Sequence, residues 1–154
     1  MKLRILMVLC CLMFAAGSAF AQADVAADVR KGFEEVNDWV VKSADMVPAE
    51  KYSYRPVDTV RTFGQLIAHI ADSYDYFCSN AVGKEPSSDS AEKGKTDKET
   101  LIPKLKAAVG KCTAAYGDSN AKLRPLFGNV GHTNLHYGNI ITYMRMMGLK
   151  PPSS

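Results

Sequence analysis

Gly83-Lys84-Glu85-Pro86-Ser87-Ser88-Asp89-Ser90-Ala91-Glu92-Lys93-Gly94-Lys95-Thr96-Asp97 is the stretch on which the fold turns. It is polar and the only low-complexity part of the chain, and it separates two long segments of helical periodicity. Its composition predicts a flexible connection, and it is long for a link between neighbouring helices. Fifteen residues extend to about 50 Å, more than the ~36 Å of a 24-residue helix. The helix after it is therefore free to run parallel to the helix before it, with the linker crossing over the bundle.

Working back from Gly83, Phe63, Leu66, Ile67, Ile70, Tyr74 and Phe77 recur at helical spacing. They predict a second helix that starts between Thr59 and Thr62 and is stopped by Gly83. Before it, Pro48 to Pro56 reads as a proline-bounded loop carrying Tyr52 and Tyr54. Val25, Val29, Phe33, Val36 and Val40 mark a first helix from Asp24 to about Ala44. After the linker, Thr96 and Glu99 have the spacing of a capping box. Leu101, Leu105, Val109, Cys112 and Tyr116 give the apolar face of a third helix, and Pro103 is tolerable there only in the first turn or at a kink. A fourth helix follows Pro125 and ends at Gly148, with Pro151-Pro152 beyond it. No strand pattern competes, so the expected class is all-α, a four-helix bundle.

The N-terminal residues read as a leader. Lys2 and Arg4 precede an apolar run from Ile5 to Phe14, and Ala19-Phe20-Ala21 offers small residues for cleavage. Residues 1–21 are thus expected to be a secretory signal peptide and residues 22–154 one domain. The run is too short for stable membrane insertion. Export to the periplasm or the medium follows. Without Lys2 and Arg4 the balance falls from +3 to 17 basic against 16 acidic residues, which leaves no electrostatic case for nucleic acid as a partner.

Cys78 and Cys112 would remain after cleavage, in a compartment that permits disulfides. If the second and third helices run parallel, the two cysteines lie at one level and can bridge. An antiparallel pair would put them about 15 Å out of register. The bridge is the favoured reading, against two buried inert thiols.

The chain holds three histidines, His69, His132 and His136. His132 and His136 are one turn apart on one helix face, so their rings can converge. With His69 from a neighbouring helix they would form a three-nitrogen site that leaves a divalent metal open to a further ligand. Imidazole ligation suits zinc, nickel, copper or iron, and zinc or nickel is the expected ion. One tension is built in: His69 and His132 both fall near the starts of their helices, which antiparallel pairing would separate. Asp72, one turn after His69, is a weak candidate for general base or partner of a ligand; a solvated helix carboxylate is the preferred reading. Asn139 and the tyrosines 52, 54 and 143 are further candidates for the site's surroundings.

Thr62-Phe63-Gly64-Gln65-Leu66-Ile67-Ala68-His69-Ile70 together with His132-x-x-x-His136-Tyr137-Gly138-Asn139 resembles the DinB-like family of small bacterial four-helix metal proteins. Pro48-x-x-Lys51-Tyr52-x-Tyr54-Arg55-Pro56 and Tyr143-x-Arg145-x-x-Gly148-x-x-Pro151-Pro152 extend the likeness over nearly all of residues 22–154. The resemblance implies an up-down-down-up bundle with the crossover between helices two and three. It also implies a divalent metal held by His69, His132 and His136. Some relatives use the metal to join a low-molecular-weight thiol to an electrophile. Asn139 stands where many relatives have glutamine, and export removes this chain from the cytosolic thiol pool. The expected function is metal-dependent hydrolysis or thiol transfer on an unknown electrophilic small molecule. The alternative is a non-catalytic metal-binding or structural bundle, acting as a homodimer in the last case.

Overall fold

The computed structural model describes residues 25–154; the expected signal peptide and the helix start at Asp24 lie outside the described residues. Four helices form the fold: α1 (25–46), α2 (Phe63–Ala81), α3 (Lys98–Gly117) and α4 (Leu123–Met146). A single 3₁₀ turn, Ala49–Lys51, follows α1. Strands are absent among the described residues.

Local chemistry fixes the ends. Thr62 caps α2 in a full capping box: its side chain accepts from Gln65 N–H, and the Gln65 side chain accepts from Thr62 N–H. The preceding loop serves two more free donors of that helix, through Phe63 N–H to the Tyr54 carbonyl and Gly64 N–H to the Tyr52 carbonyl. The capping box expected at Thr96 and Glu99 does not form. Helix α3 starts one residue later, and Asp97 caps it by accepting from Thr100 N–H at 2.8 Å. Pro103 is the sixth residue of α3, past the first turn, so the Glu99 carbonyl loses its helical donor at an exposed position. Helix α4 begins two residues before Pro125, which keeps that proline in the first turn. Gly83 and Gly148 have positive φ, 71° and 77°, and each closes a Schellman motif. The bonds are Lys84 N–H to Ser79 carbonyl and Leu149 N–H to Met144 carbonyl.

Directions follow from cross-helix bonds. Lys122 N–H donates to the Ala81 carbonyl, and the Tyr143 hydroxyl donates to the Arg61 carbonyl, so α4 runs antiparallel to α2. The start of α3 lies at the start of α2, because a Cβ placed on Gly64 would meet the Thr96 carbonyl oxygen. Cys78 and Cys112, far along both helices, are bonded to each other with Cα atoms 5.2 Å apart. Helices α2 and α3 are therefore parallel. The Lys98 ammonium donates to the Asp45 and Val47 carbonyls at the end of α1, and Phe33 packs on Tyr74 and Tyr116, late in α2 and α3. Helix α1 opposes both. The order is up-down-down-up, with residues 82–97 crossing over.

The core runs the length of the bundle, and Phe33, Ile67, Ile70, Tyr74, Leu101, Leu105 and Ile140 are almost completely buried in it. The Phe33 ring stacks on Tyr116 at 4.2 Å and meets Tyr74 edge-on at 5.6 Å, a geometry favoured by aromatic quadrupoles. Trp39 stacks on Tyr137 and ties α1 to α4. Val25, expected on the apolar face of α1, is half exposed instead.

The crossover is not a loose tether. Asp72 on α2 accepts from the Ser90 hydroxyl at 2.6 Å, from Ala91 N–H at 2.6 Å and from Glu92 N–H at 3.0 Å. One turn on, Asp75 accepts from Ser87 N–H and from the Lys111 ammonium. Lys104 on α3 reaches Asp89, and Ala91 is only 3 % exposed. Polar composition without periodicity reads as flexibility in sequence, but here the N–H groups of Ser87, Asp89, Ser90, Ala91, Glu92 and Gly94 all have acceptors.

Candidate metal centre

His69, His132 and His136 are brought together: one ring nitrogen from each lies within 4.8 Å of the other two. Helix register explains it. Residues level with one another in an antiparallel pair keep a constant index sum, which the Ala81–Lys122 and Arg61–Tyr143 bonds set at 203 to 204. The level of His69 is then 134 or 135, midway between His132 and His136. The separation suggested by drawing both histidines near their helix starts disappears, because α4 begins at Leu123 and places them near its middle.

The Nε2 atoms of His132 and His136 face each other at 3.2 Å. Two nitrogens bound to one zinc at 2.0–2.1 Å in a tetrahedral arrangement lie about 3.3–3.4 Å apart, so the pair has the spacing of two ligands of one ion. The His69 ring centroid is 4.6 Å from that of His136 and 5.1 Å from that of His132. Phe77 covers the far side of His132 at 5.6 Å. Burial, followed by the nearby His69 and Arg61 charges, holds the His132 imidazolium below its ordinary range. The same burial, with His132, His69 and Arg61 adding to it and Glu92 opposing, pushes His136 down to about 4. Both rings are thus neutral near pH 7, the form in which imidazole is a ligand. Their Nδ1 atoms are buried and have no hydrogen-bond partner among the described residues. A cation on the Nε2 atoms would leave these Nδ1 atoms unpaired as well, so the fit rests on the spacing of the Nε2 atoms and the neutrality of the rings. The residues present fit a divalent cation.

Asp72 is not directed at the histidines. Both its oxygens are taken up by the crossover, so it is neither a free base nor the solvated carboxylate that was the preferred reading. Asn139 is exposed. Tyr52 is buried, its hydroxyl donating to the Ala44 carbonyl, so it lines no pocket mouth. Tyr54 meets Tyr143 edge-on, and Tyr143 supports the backbone of Arg61.

Two residues at the site carry no mark in the sequence. Glu92, in the crossover, lies with one oxygen 3.0 Å from His69 Nδ1 and accepts from Arg61 Nε at 2.7 Å with the other. Desolvation raises its pKa, but the bonds from His69 and Arg61 outweigh that and leave the carboxyl below its ordinary range. Neither residue belongs to an apolar stripe or a spacing motif, and the contact spans 23 residues of chain. Sequence patterning gives no signal for it.

Among the described residues no helix is long and apolar enough to cross a membrane. No curated protein and no solved structure matches the chain. The family model described as DinB superfamily matches residues 33–136, more than half the chain, and that span holds all three histidines. With the four-helix fold and the histidine cluster in place, the match settles the assignment: this chain belongs to the DinB superfamily.

Proposed function

We propose that the chain is an exported metal-binding protein that holds zinc or nickel through His69, His132 and His136 and acts on an electrophilic small molecule as a hydrolase or thiol transferase. The observation that carries this reading is the convergence of the three imidazoles, with two Nε2 atoms at the spacing of ligands to one ion. A cation so bound supplies Lewis-acid chemistry, polarising a carbonyl or phosphoryl oxygen or lowering the pKa of water or thiol. Three ligands leave a tetrahedral ion one position for such a group. The protein's part is to keep His132 and His136 neutral by burial and to close one side of His132 with Phe77. Arg61, 45 % exposed beside Glu92, places a cationic fork near the trio that suits an anionic group on the substrate. The Cys78–Cys112 bond accords with export to an oxidising compartment.

The test is metal content by mass spectrometry of the untagged chain from Gln22 to Ser154, beside a His136→Ala variant. About one equivalent in the parent and none in the variant is expected, and would justify screening hydrolase and thiol-transfer substrates. No metal, and none taken up from added zinc or nickel, would refute the reading. A second reading, a non-catalytic or dimerising bundle, draws on Phe127 and Leu135, exposed at 68 % and 67 % and two turns apart on α4. A concentration-dependent dimer abolished by Leu135→Glu, with no turnover in any screen, would favour it.

A further inference from the structure

We propose that Glu92 is the positioning residue of the metal centre, and that Asp72 is the anchor that delivers it. This rests on the metal-binding reading above. An ionised carboxylate can only accept hydrogen bonds, so its 3.0 Å contact requires the proton of His69 on Nδ1. A neutral imidazole then has its lone pair on Nε2, which becomes the ligand atom. The Arg61 guanidinium, donating to the second oxygen, keeps the carboxylate charged and fixes its plane. A carboxylate on the distal nitrogen also makes the ligating nitrogen more basic.

Glu92 has no helix to hold it. Its place is set by Asp72, which binds three consecutive groups of the crossover, ending with the N–H of Glu92 itself. Asp72 stands three residues after His69 on α2, so one helix turn carries both the ligand and the anchor of that ligand's partner. The other two histidines have no such support among the described residues, since their Nδ1 atoms are buried without partners. Among the described residues, the crossover supplies the one hydrogen bond to the three imidazoles from outside the trio.

The experiment uses the chain from Gln22 to Ser154 as parent, Glu92→Gln, Glu92→Ala, Asp72→Ala and the double alanine variant, with folding checked by circular dichroism. Zinc affinity is measured by competition with a chromophoric chelator. Loss of an outer partner of a metal ligand costs about 10–100-fold in affinity, which is the expectation for Glu92→Ala. Glu92→Gln keeps an acceptor without the charge and should fall between. Asp72→Ala should approach Glu92→Ala, and the double variant should be no weaker than Glu92→Ala alone. Long-range ¹H–¹⁵N spectra of the metal-free proteins give a readout independent of metal. The parent should show His69 protonated on Nδ1, and Glu92→Ala should move it toward the Nε2–H form. A parent that binds no zinc refutes the metal reading, and the tautomer spectra then still judge Glu92. Parent-like affinity together with an unchanged tautomer in Glu92→Ala overturns the proposal, as does full additivity of the two alanine substitutions.

Discussion

Reducing the Cys78–Cys112 bond offers a direct measure of how much of the fold's stability is topological. The bond closes a loop of 34 residues that contains the end of α2, the crossover and most of α3. Chain entropy for a loop of that length gives a stabilisation of about 3.8 kcal/mol at 25 °C. Unfolding about 130 residues carries an entropy near 0.27 kcal/mol per degree, so reduction should lower Tm by roughly 14 °C. Both sulfurs are buried, at 2 % and 0 % exposure, so complete reduction needs transient unfolding before the reductant is held constant. The chain from Gln22, which lacks Cys10 and Cys11, should show no free thiol before reduction and two after it. Thermal unfolding is then followed by circular dichroism in both states. A shift below about 3 °C with both thiols titratable would refute the loop-entropy reasoning. Two free thiols in the unreduced, folded protein would refute the bond itself.

Zinc at a free concentration of 100 times its Kd should stabilise the protein by about 2.7 kcal/mol, close to 10 °C in Tm; the same rise in His132→Ala would show that zinc binds elsewhere. Gly64→Ala should cost about 1–3 kcal/mol in chemical denaturation, because its Cβ would lie 2.1 Å from the Thr96 carbonyl oxygen and 3.2 Å from that of Tyr52, both backbone atoms. Gly110→Ala, exposed in α3 with nothing within 4 Å of the added carbon, should instead stabilise by about 0.5–1 kcal/mol, and equal effects at the two positions would contradict the close approach. Bonds from Thr100 hold the Asp97 carboxyl below its ordinary value of 3.8, so its contribution is present above that pH and lost as pH falls through the folded-state value. Asp97→Asn keeps an acceptor at the cap without titrating, and acid unfolding curves should show a shallower loss of stability below pH 4; a parent-like slope would count against the assignment.

The sequence made the helices legible because each buries one stripe, and the period of that stripe survives in the residue order. Linker length permitted the crossover topology, since parallel neighbours need a long return path, and the family resemblance selected it. Helix starts were less so. Thr62-x-x-Gln65 and Thr96-x-x-Glu99 share one pattern, yet only the first caps a helix; Asp97, one residue on, takes the second place by accepting from Thr100 N–H. That ambiguity of a few residues also produced the apparent mismatch in level between His69 and His132. The ligand trio could be assembled from residue type and family pattern. The residues around it could not, because Glu92 reaches His69 through a folded-back loop and Asp72 acts on backbone donors, neither of which leaves periodicity behind.

The crossover between Gly83 and Asp97 divides the chain into a helical hairpin of α1 and α2 and another of α3 and α4. Each hairpin contributes one cysteine to the bond and a share of the histidines, one from the first and two from the second. Cleavage after Lys93 or Lys95, both exposed, would therefore leave a two-chain molecule still joined covalently and still able to assemble its trio. Backbone continuity through the crossover matters less to the centre than the position of Glu92, which lies on the first hairpin's side of either cut. In engineering terms the bundle is a split protein with its own latch.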